Sequence, residues 1–220
     1  MKLNVIITGA TGMVGEGVLH ECLQHPDVEK VLVINRRPGD RTHPKLHEII
    51  HPDFLNFSTI DVDFTAYNAC FFCLGVSSVG MKKEEYYRLT YDLTLHIAHT
   101  MVRHNPNMVF CYVSGAGTNS AETGRLHWAR VKGKTENDLL QLPFKAAYMF
   151  RPGFLQATPG LKNVKSYYKY FAWLAPALKL FYPNGFSSLR ELGLAMIHVV
   201  QRGYPTPVLE VKDFKALAKE

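Results

Sequence analysis

The chain has 220 residues, of which 47% are hydrophobic and 20% charged, proportions that exclude a fibre or a disordered tail and allow one sizeable core. Lys and Arg total 25 against 19 Asp and Glu, a net charge of +6 that is spread along the chain and forms no arm of the kind that wraps nucleic acid. Four cysteines are too few for a disulfide scaffold. Nothing resembling a cleavable signal follows Met1-Lys2, and the longest uncharged apolar run of the second half, residues 170–178, is too short to span a bilayer and contains Pro176. The expectation is therefore a cytoplasmic protein.

The chain alternates strands and helices. Residues 3–8 form a β-rich run ending in glycines, and residues 13–24 read as a helix closed by His25-Pro26. Residues 31–35 and a weaker 48–51 read as the next strands, and 69–74 as a strand apolar on both faces. Cys70 and Cys73 match C-x-x-C, but residues three apart on a strand point to opposite faces, so they read as two separate buried thiols. Residues 83–103 form the longest predicted helix, with Glu84 and Glu85 in its first turn and Leu89, Leu93, Ile97 and Met101 repeating every four residues. Strand 108–114, helix 128–142 and strand 147–150 follow. Residues 164–180 read as helical with a break at Pro176. Ser188 to Glu191 form a capping box for another helix. A last strand at 208–211 precedes a short helix capped by Asp213. The order predicts an α/β, doubly wound parallel-sheet Rossmann fold in a single domain, 1–220, with residues 154–220 forming a small C-terminal helical lobe on the substrate side.

The strongest signal is Gly9-Ala-Thr-Gly12-Met-Val-Gly15, placed after a strand and opening a helix. Gly9 permits a tight turn, Gly12 lets a pyrophosphate approach the backbone, and Gly15 lets helix and strand pack closely. Thr11, Met13 and Val14 belong to the same loop and helix start, whose unpaired N–H groups favour phosphate. At the end of the second strand the chain reads Asn35-Arg36-Arg37, with no carboxylate before Asp40. Arginine forks suit a ribose 2′-phosphate, so NADP(H) is expected ahead of NAD(H); the alternative is that one or both arginines are surface charge.

The glycine loop, Asn35-Arg36-Arg37, Cys73-Leu74-Gly75, Ser114-Gly115-Ala116, Val131-Lys132-Gly133 and Arg151-Pro152-Gly153 occur in the order seen in atypical short-chain dehydrogenases/reductases. The chain resembles this group, the NAD-dependent epimerase/dehydratase-like NAD(P)-binding proteins, and within it the oxidoreductase Tat-interactive-protein branch, over about residues 1–155. The resemblance implies further cofactor contacts at Asp53 and Phe54 beside the adenine. It also implies Gly75, Val76 and Ser77 beside the ribose and pyrophosphate, and Pro152, Gly153 and Phe154 near the nicotinamide. Its catalytic set is Ser, Tyr and Lys, the Tyr acting as acid or base and the Lys also binding the nicotinamide ribose. Ser114 and Lys132 fit two of these positions, but four residues before Lys132 stands Trp128, whose indole exchanges no proton near pH 7. The Asn that many members carry on the long helix appears as Thr90.

Substitute acids include Tyr86, Tyr87 and Tyr91 on the long helix and Tyr167 and Tyr168 in the C-terminal lobe, although packing is the commoner role for any one of so many tyrosines. His127 is turned about 100° from Trp128 along a helix. His43/His47 and His96/His99 would each share a face if helical, but without a carboxylate cluster no metal is expected. Tyr167 to Tyr182, with Lys162, Lys165, Lys169 and Lys179, reads as core or pocket wall, oligomer contact or membrane-surface stripe. Two functions stay open: an NADP(H)-dependent oxidoreductase or epimerase-like enzyme on an unknown small substrate, or a non-catalytic NADP(H)-binding redox sensor or scaffold. A homodimer or protein partner is compatible with either; nucleic acid is not expected.

Overall fold

The computed structural model describes residues 2–163 and 185–219. Strands β1 (Leu3–Thr8), β2 (Val28–Asn35), β3 (Leu46–Ile50), β4 (Ala69–Phe72), β5 (Val109–Val113), β6 (Ala146–Arg151) and, late in the chain, β9 (Val208–Glu210) form one sheet in the order β3-β2-β1-β4-β5-β6-β9. Every neighbouring pair in it is parallel. Two short strands, β7 (Phe154–Gln156) and β8 (Phe186–Ser188), pair separately. The main sheet is the doubly wound arrangement expected, and its order reverses between β1 and β4, where such sheets open a crevice at their carboxyl ends.

Alternation along each strand feeds two cores. Leu3, Val5 and Ile7 face one layer, built with helices α1 (Met13–Gln24), α5 (Leu189–Arg202) and α6 (Val211–Leu217). Ile6, Cys70 and Phe72 face the other, built with α3 (Leu93–His104), Leu139 of α4 (His127–Leu140) and the 3₁₀ turns Phe54–Thr59 and Phe64–Ala66. Cys70 thus packs in the second core, whereas Cys73 packs against the first, as strand geometry requires. All four cysteines are unpaired thiols. Burial raises the pKa of each.

Three sequence expectations are corrected. The long helix has the expected extent, but it is α2 (Lys83–Tyr87) and α3 joined by one π-helical turn at Arg88–Asp92. A four-residue apolar repeat overshoots the 3.6-residue period, and the wider turn takes up part of the difference at Leu89. His43 and His47 share no helix face, because Leu46–Ile50 is a strand and the His43 ring accepts the Lys45 N–H at 3.2 Å. The last helix has Glu210 as N-cap, with Asp213 at its third position returning a bond to the Glu210 N–H.

The Ser188–Glu191 capping box forms as expected, starting α5. That helix lies close on α1: a Cβ on Gly17 would sit 2.8 Å from the Leu189 side chain, and one on Gly193 2.8 Å from that of Glu21. With β9 in the main sheet and α5 and α6 on its face, α5, β9 and α6 belong to the Rossmann core, while β8 pairs with β7 outside the main sheet. The predicted helix at 164–180 and the aromatic segment 167–182 lie outside the described residues. Among the described residues, no helix is long and apolar enough to cross a membrane.

Candidate functional site

The glycine loop separates three physical demands. Gly9 has φ +76°, and a Cβ there would press to 2.8 Å on the Cys73–Leu74 backbone. Gly15 is closer still: its Cβ would lie 2.2 Å from the Gly9 carbonyl, so only glycine lets α1 start this near β1. Gly12 differs, since its Cβ would meet only the Gly9 oxygen at 3.4 Å, an ordinary contact. Among the described residues no other atom comes within 4 Å of that position. Among the described residues no side chain caps α1 either, so its first-turn N–H groups, beginning at Met13 and Val14, have no intrahelical partner. A Cβ on Gly75 or on Gly115, across the sheet's carboxyl edge, would likewise meet nothing within 4 Å. The loop therefore combines open space with uncapped backbone donors, the chemistry that suits an anion.

From this loop a cleft of about 690 Å³ runs outward between Gly9, Thr11, Asn35, Arg36, Arg37, Pro52, Phe54 and Leu74. A smaller recess of about 180 Å³ continues it past Asp53, Phe54, Gly75, Val76, Leu89 and Leu93. Asp53 caps the following 3₁₀ turn, accepting the Leu55 N–H at 3.0 Å. Ser77 lies in the exposed loop after β4, where its Oγ accepts the Val79 N–H at 3.3 Å.

Arg36 and Arg37 are exposed on the cleft wall. A carboxylate does stand nearby, brought from the next strand: Glu48 Oε1 accepts from Asn35 Nδ2 at 2.7 Å and from the Gly39 N–H at 2.9 Å. The motif at the end of β2 gave no sign of it, because its contribution depends on the β2–β3 register.

At the other end of the edge the structure brings Ser114, Lys132 and Trp128 together. Ser114 Oγ lies 3.0 Å from Thr118 Oγ1, and both residues are buried. Lys132, on α4, donates to Ser114 O at 3.1 Å and Val113 O at 3.5 Å and lies over the Tyr112 ring at 5.3 Å. Burial draws its pKa down to about 8, with Glu136 opposing. Trp128 reaches the same loop from one turn earlier, its indole edge 3.4 Å from where a Gly117 Cβ would be. Gly133 lets that loop pass, since a Cβ there would fall 1.8 Å from Asn119 O.

Pro152 is buried, and its carbonyl accepts the Ala116 N–H at 2.8 Å, joining the β6 end to the Ser114 loop. Gly153 packs on Gly185 O, which would be 2.3 Å from its Cβ, and Phe154 stacks on Phe186 with ring centres 5.3 Å apart. Of the other tyrosines considered, Tyr86 is buried and packs on the His127 ring, and Tyr91 donates to Asp138 at 2.5 Å. The pKa of each is raised, first by burial. His127 is turned away from Trp128, within 3.2 Å of Lys83 O.

Two further acids were invisible to sequence reasoning. Glu136, fully buried one turn beyond Lys132, grips the Arg151 guanidinium through both its oxygens, and Glu210 adds a contact at 3.2 Å. Burial opposes the Arg151 charge, but these acids outweigh it and raise its pKa. Glu16, in the first turn of α1, is also buried and multiply bonded. A helix-spaced acid reads as surface until its partners, here up to 147 residues away, are known. Among the described residues no three His, Cys, Asp or Glu side chains converge as a metal site.

The family described as "NAD dependent epimerase/dehydratase family" matches residues 5–135. The chain belongs to this family. Its fold is shared with solved enzymes. Bordetella bronchiseptica WbmF in complex with NAD+ superposes with a TM-score of 0.66 at 15% identity, over 99% of this chain and 77% of that one. Helicobacter pylori ADP-L-glycero-D-manno-heptose-6-epimerase gives 0.64 at 15% identity, over 99% and 82%. Among curated proteins, "Protein fmp52, mitochondrial" of Aspergillus fumigatus is 26% identical over 162 residues, covering 69% of this chain and 66% of that protein. "Protein FMP52, mitochondrial" of Saccharomyces cerevisiae is 28% identical over 156 residues, covering 69% and 65%. The chain thus spans just under two thirds of the length of these relatives. Their names overturn the expectation of a cytoplasmic protein, which followed from the lack of a cleavable signal shape and of an apolar run long enough to span a bilayer.

Proposed function

We propose that this chain binds NADP(H) along the carboxyl edge of its sheet and acts as an oxidoreductase of the epimerase/dehydratase type on a small substrate. In this reading the amides of α1, with Gly9, Thr11, Gly12, Met13, Val14 and Gly15, hold the pyrophosphate. Arg36 and Arg37 hold the 2′-phosphate. Asp53 and Phe54 flank the adenine, Gly75, Val76 and Ser77 adjoin the ribose and pyrophosphate, and Pro152, Gly153 and Phe154 border the nicotinamide. The observation that carries the NADP(H) preference is the pair of exposed guanidiniums on the cleft wall, beside an acid whose Oε1 is already engaged by Asn35 and Gly39.

When bound, NADP(H) supplies or accepts a hydride. The chain's own residues then have separable tasks. Ser114 Oγ and Thr118 Oγ1 form a hydroxyl pair able to hold a substrate oxygen. Lys132 fixes the end of β5 and offers a cation to the nicotinamide ribose. Trp128 walls the site but delivers no proton, so carbonyl reduction is slow. Titration calorimetry of the wild type with NADPH and NADH tests the reading, and equal affinities would refute the preference.

A specific observation favours the non-catalytic alternative. Both surviving catalytic side chains are engaged internally, Ser114 by Thr118 and Lys132 by the carbonyls of β5. NADPH binding without turnover on any member of a panel of ketones, quinones and nucleotide sugars would select it.

A further inference from the structure

We infer that Glu16 is a positioning residue for cofactor discrimination, fixing the arginine loop after β2 and the strap at residues 162–163 with one buried carboxylate; this rests on the NADP(H) reading above. Glu16 is only 2% exposed, although it belongs to the first turn of the helix that faces the phosphates. Its Oε1 accepts from Arg41 Nη2 at 2.9 Å and from the Lys162 N–H at 3.0 Å, and its Oε2 accepts the Asn163 N–H at 2.8 Å. Burial works to protonate it, and these donors prevail, so its pKa lies below its ordinary value.

The geometry makes the loop from Arg36 to Arg41 a braced span. Glu48 holds its start through Asn35 and Gly39, and Glu16 holds its end through Arg41. An ion pair between Asp40 and Lys162 ties the same loop to the strap a second time. Arg36 and Arg37 lie between these anchors, so their backbone is ordered before any phosphate arrives, which reduces the ordering entropy lost on binding. Because Oε1 is shared by Arg41 and Lys162, a shift of the loop toward a 2′-phosphate is transmitted to the strap. A carboxylate this near a phosphate site would repel an anion if it were bare; Arg41 and two amides neutralise it. This explains why an acid is compatible with the phosphate-facing helix, and why a neutral amide would not replace it: Gln can keep an acceptor for the strap but loses the charge that holds Arg41.

The test uses the full chain as wild type, Glu16→Gln and Arg41→Gln, titrated with NADPH and NADH, with hydrogen–deuterium exchange at the Lys162 and Asn163 amides. Expected is a loss of about tenfold in NADPH affinity for both variants with NADH changed less than about twofold. NADPH, and not NADH, should slow exchange at the two amides in the wild type, and the variants should lose that difference. A merely structural role would weaken both cofactors equally, and that result, or a variant with unchanged discrimination and unchanged exchange, overturns the inference. If the wild type itself shows no NADPH preference, the NADP(H) reading fails instead. Glu16→Asp keeps the charge on a side chain one methylene shorter: a folded variant that retains discrimination and strap protection together, beyond what Glu16→Gln retains, supports the carboxylate as the tie, and one that keeps discrimination while losing strap protection overturns the coupling.

Discussion

Replacing Gly12 and Gly15 in turn dissects the glycine loop, because the two positions fail for opposite reasons. At Gly12 the backbone has φ −96° and ψ 162°, open to any L-residue, and a Cβ meets only Gly9 O at 3.4 Å. Gly12→Val should therefore lower stability by no more than about 1 kcal/mol. Its side chain would occupy the space that the proposed pyrophosphate site requires. Two amide–phosphate hydrogen bonds at about 1.5–3 kcal/mol each correspond to a loss of roughly 10²–10⁴-fold in NADPH affinity. At Gly15 a Cβ would lie 2.2 Å from Gly9 O, and helix or strand must move. Overpacking of this kind typically destabilises by about 1–3 kcal/mol, and at this chain length each kcal/mol lowers Tm by roughly 2–4 °C. Thermal melts by circular dichroism and titration calorimetry on both variants give the assay. A folded Gly12→Val protein that binds NADPH with wild-type affinity would refute the placement of the phosphates, and a Gly15→Ala protein as stable as the wild type would refute the packing argument.

Further consequences can be measured. Trp128→Tyr should raise NADPH-dependent reduction of small ketones and quinones toward about 10²-fold, the low end of what a positioned acid contributes, followed as NADPH oxidation, and Lys132→Ala in that background should remove the gain; robust wild-type turnover that survives Trp128→Phe would show that another group delivers the proton. Arg151→Met leaves Glu136 buried without its partner and should lower stability in urea by about 3–5 kcal/mol, whereas loss of the half-exposed Glu210 contact in Glu210→Gln should change it far less. The folded chain gives up the Lys132 proton near pH 8 and the unfolded chain near 10.5, so between those values the unfolded state binds more protons. On this group's account stability rises with pH through that window, and Lys132→Met should flatten the rise in urea melts repeated across it.

The parts of this fold legible in the sequence are those governed by local rules. The bounds of β1 and α1 follow from a short apolar run, a glycine turn and His25-Pro26, and the structure places them at Leu3–Thr8 and Met13–Gln24. The burial of both faces of β4 follows from its unbroken apolar run, and the opposite placement of Cys70 and Cys73 from the strand period. What stayed hidden depends on contacts distant in sequence. Glu48 reaches the end of β2 only through strand register, Glu136 finds Arg151 only once β6 lies beside α4, and Glu16 is bonded to amides near residue 162. The π turn at Arg88–Asp92 left only a slight trace, a four-residue apolar spacing that an uninterrupted helix would also tolerate. The candidate site thus showed its glycine loop and the Trp128–Lys132 spacing in the sequence, but not Glu48, Glu136 and Glu16.

The most direct measurement is titration calorimetry of the full chain with NADPH and with NADH, repeated on Arg36→Ala and Arg37→Ala. Two guanidiniums on the cleft wall predict tighter binding of NADPH by the wild type. Removing either should weaken NADPH by about 1.5–3 kcal/mol, roughly 10- to 150-fold, while NADH stays within about twofold. Equal wild-type affinities, or arginine variants that weaken both cofactors alike, would contradict the assignment of this cleft to the 2′-phosphate.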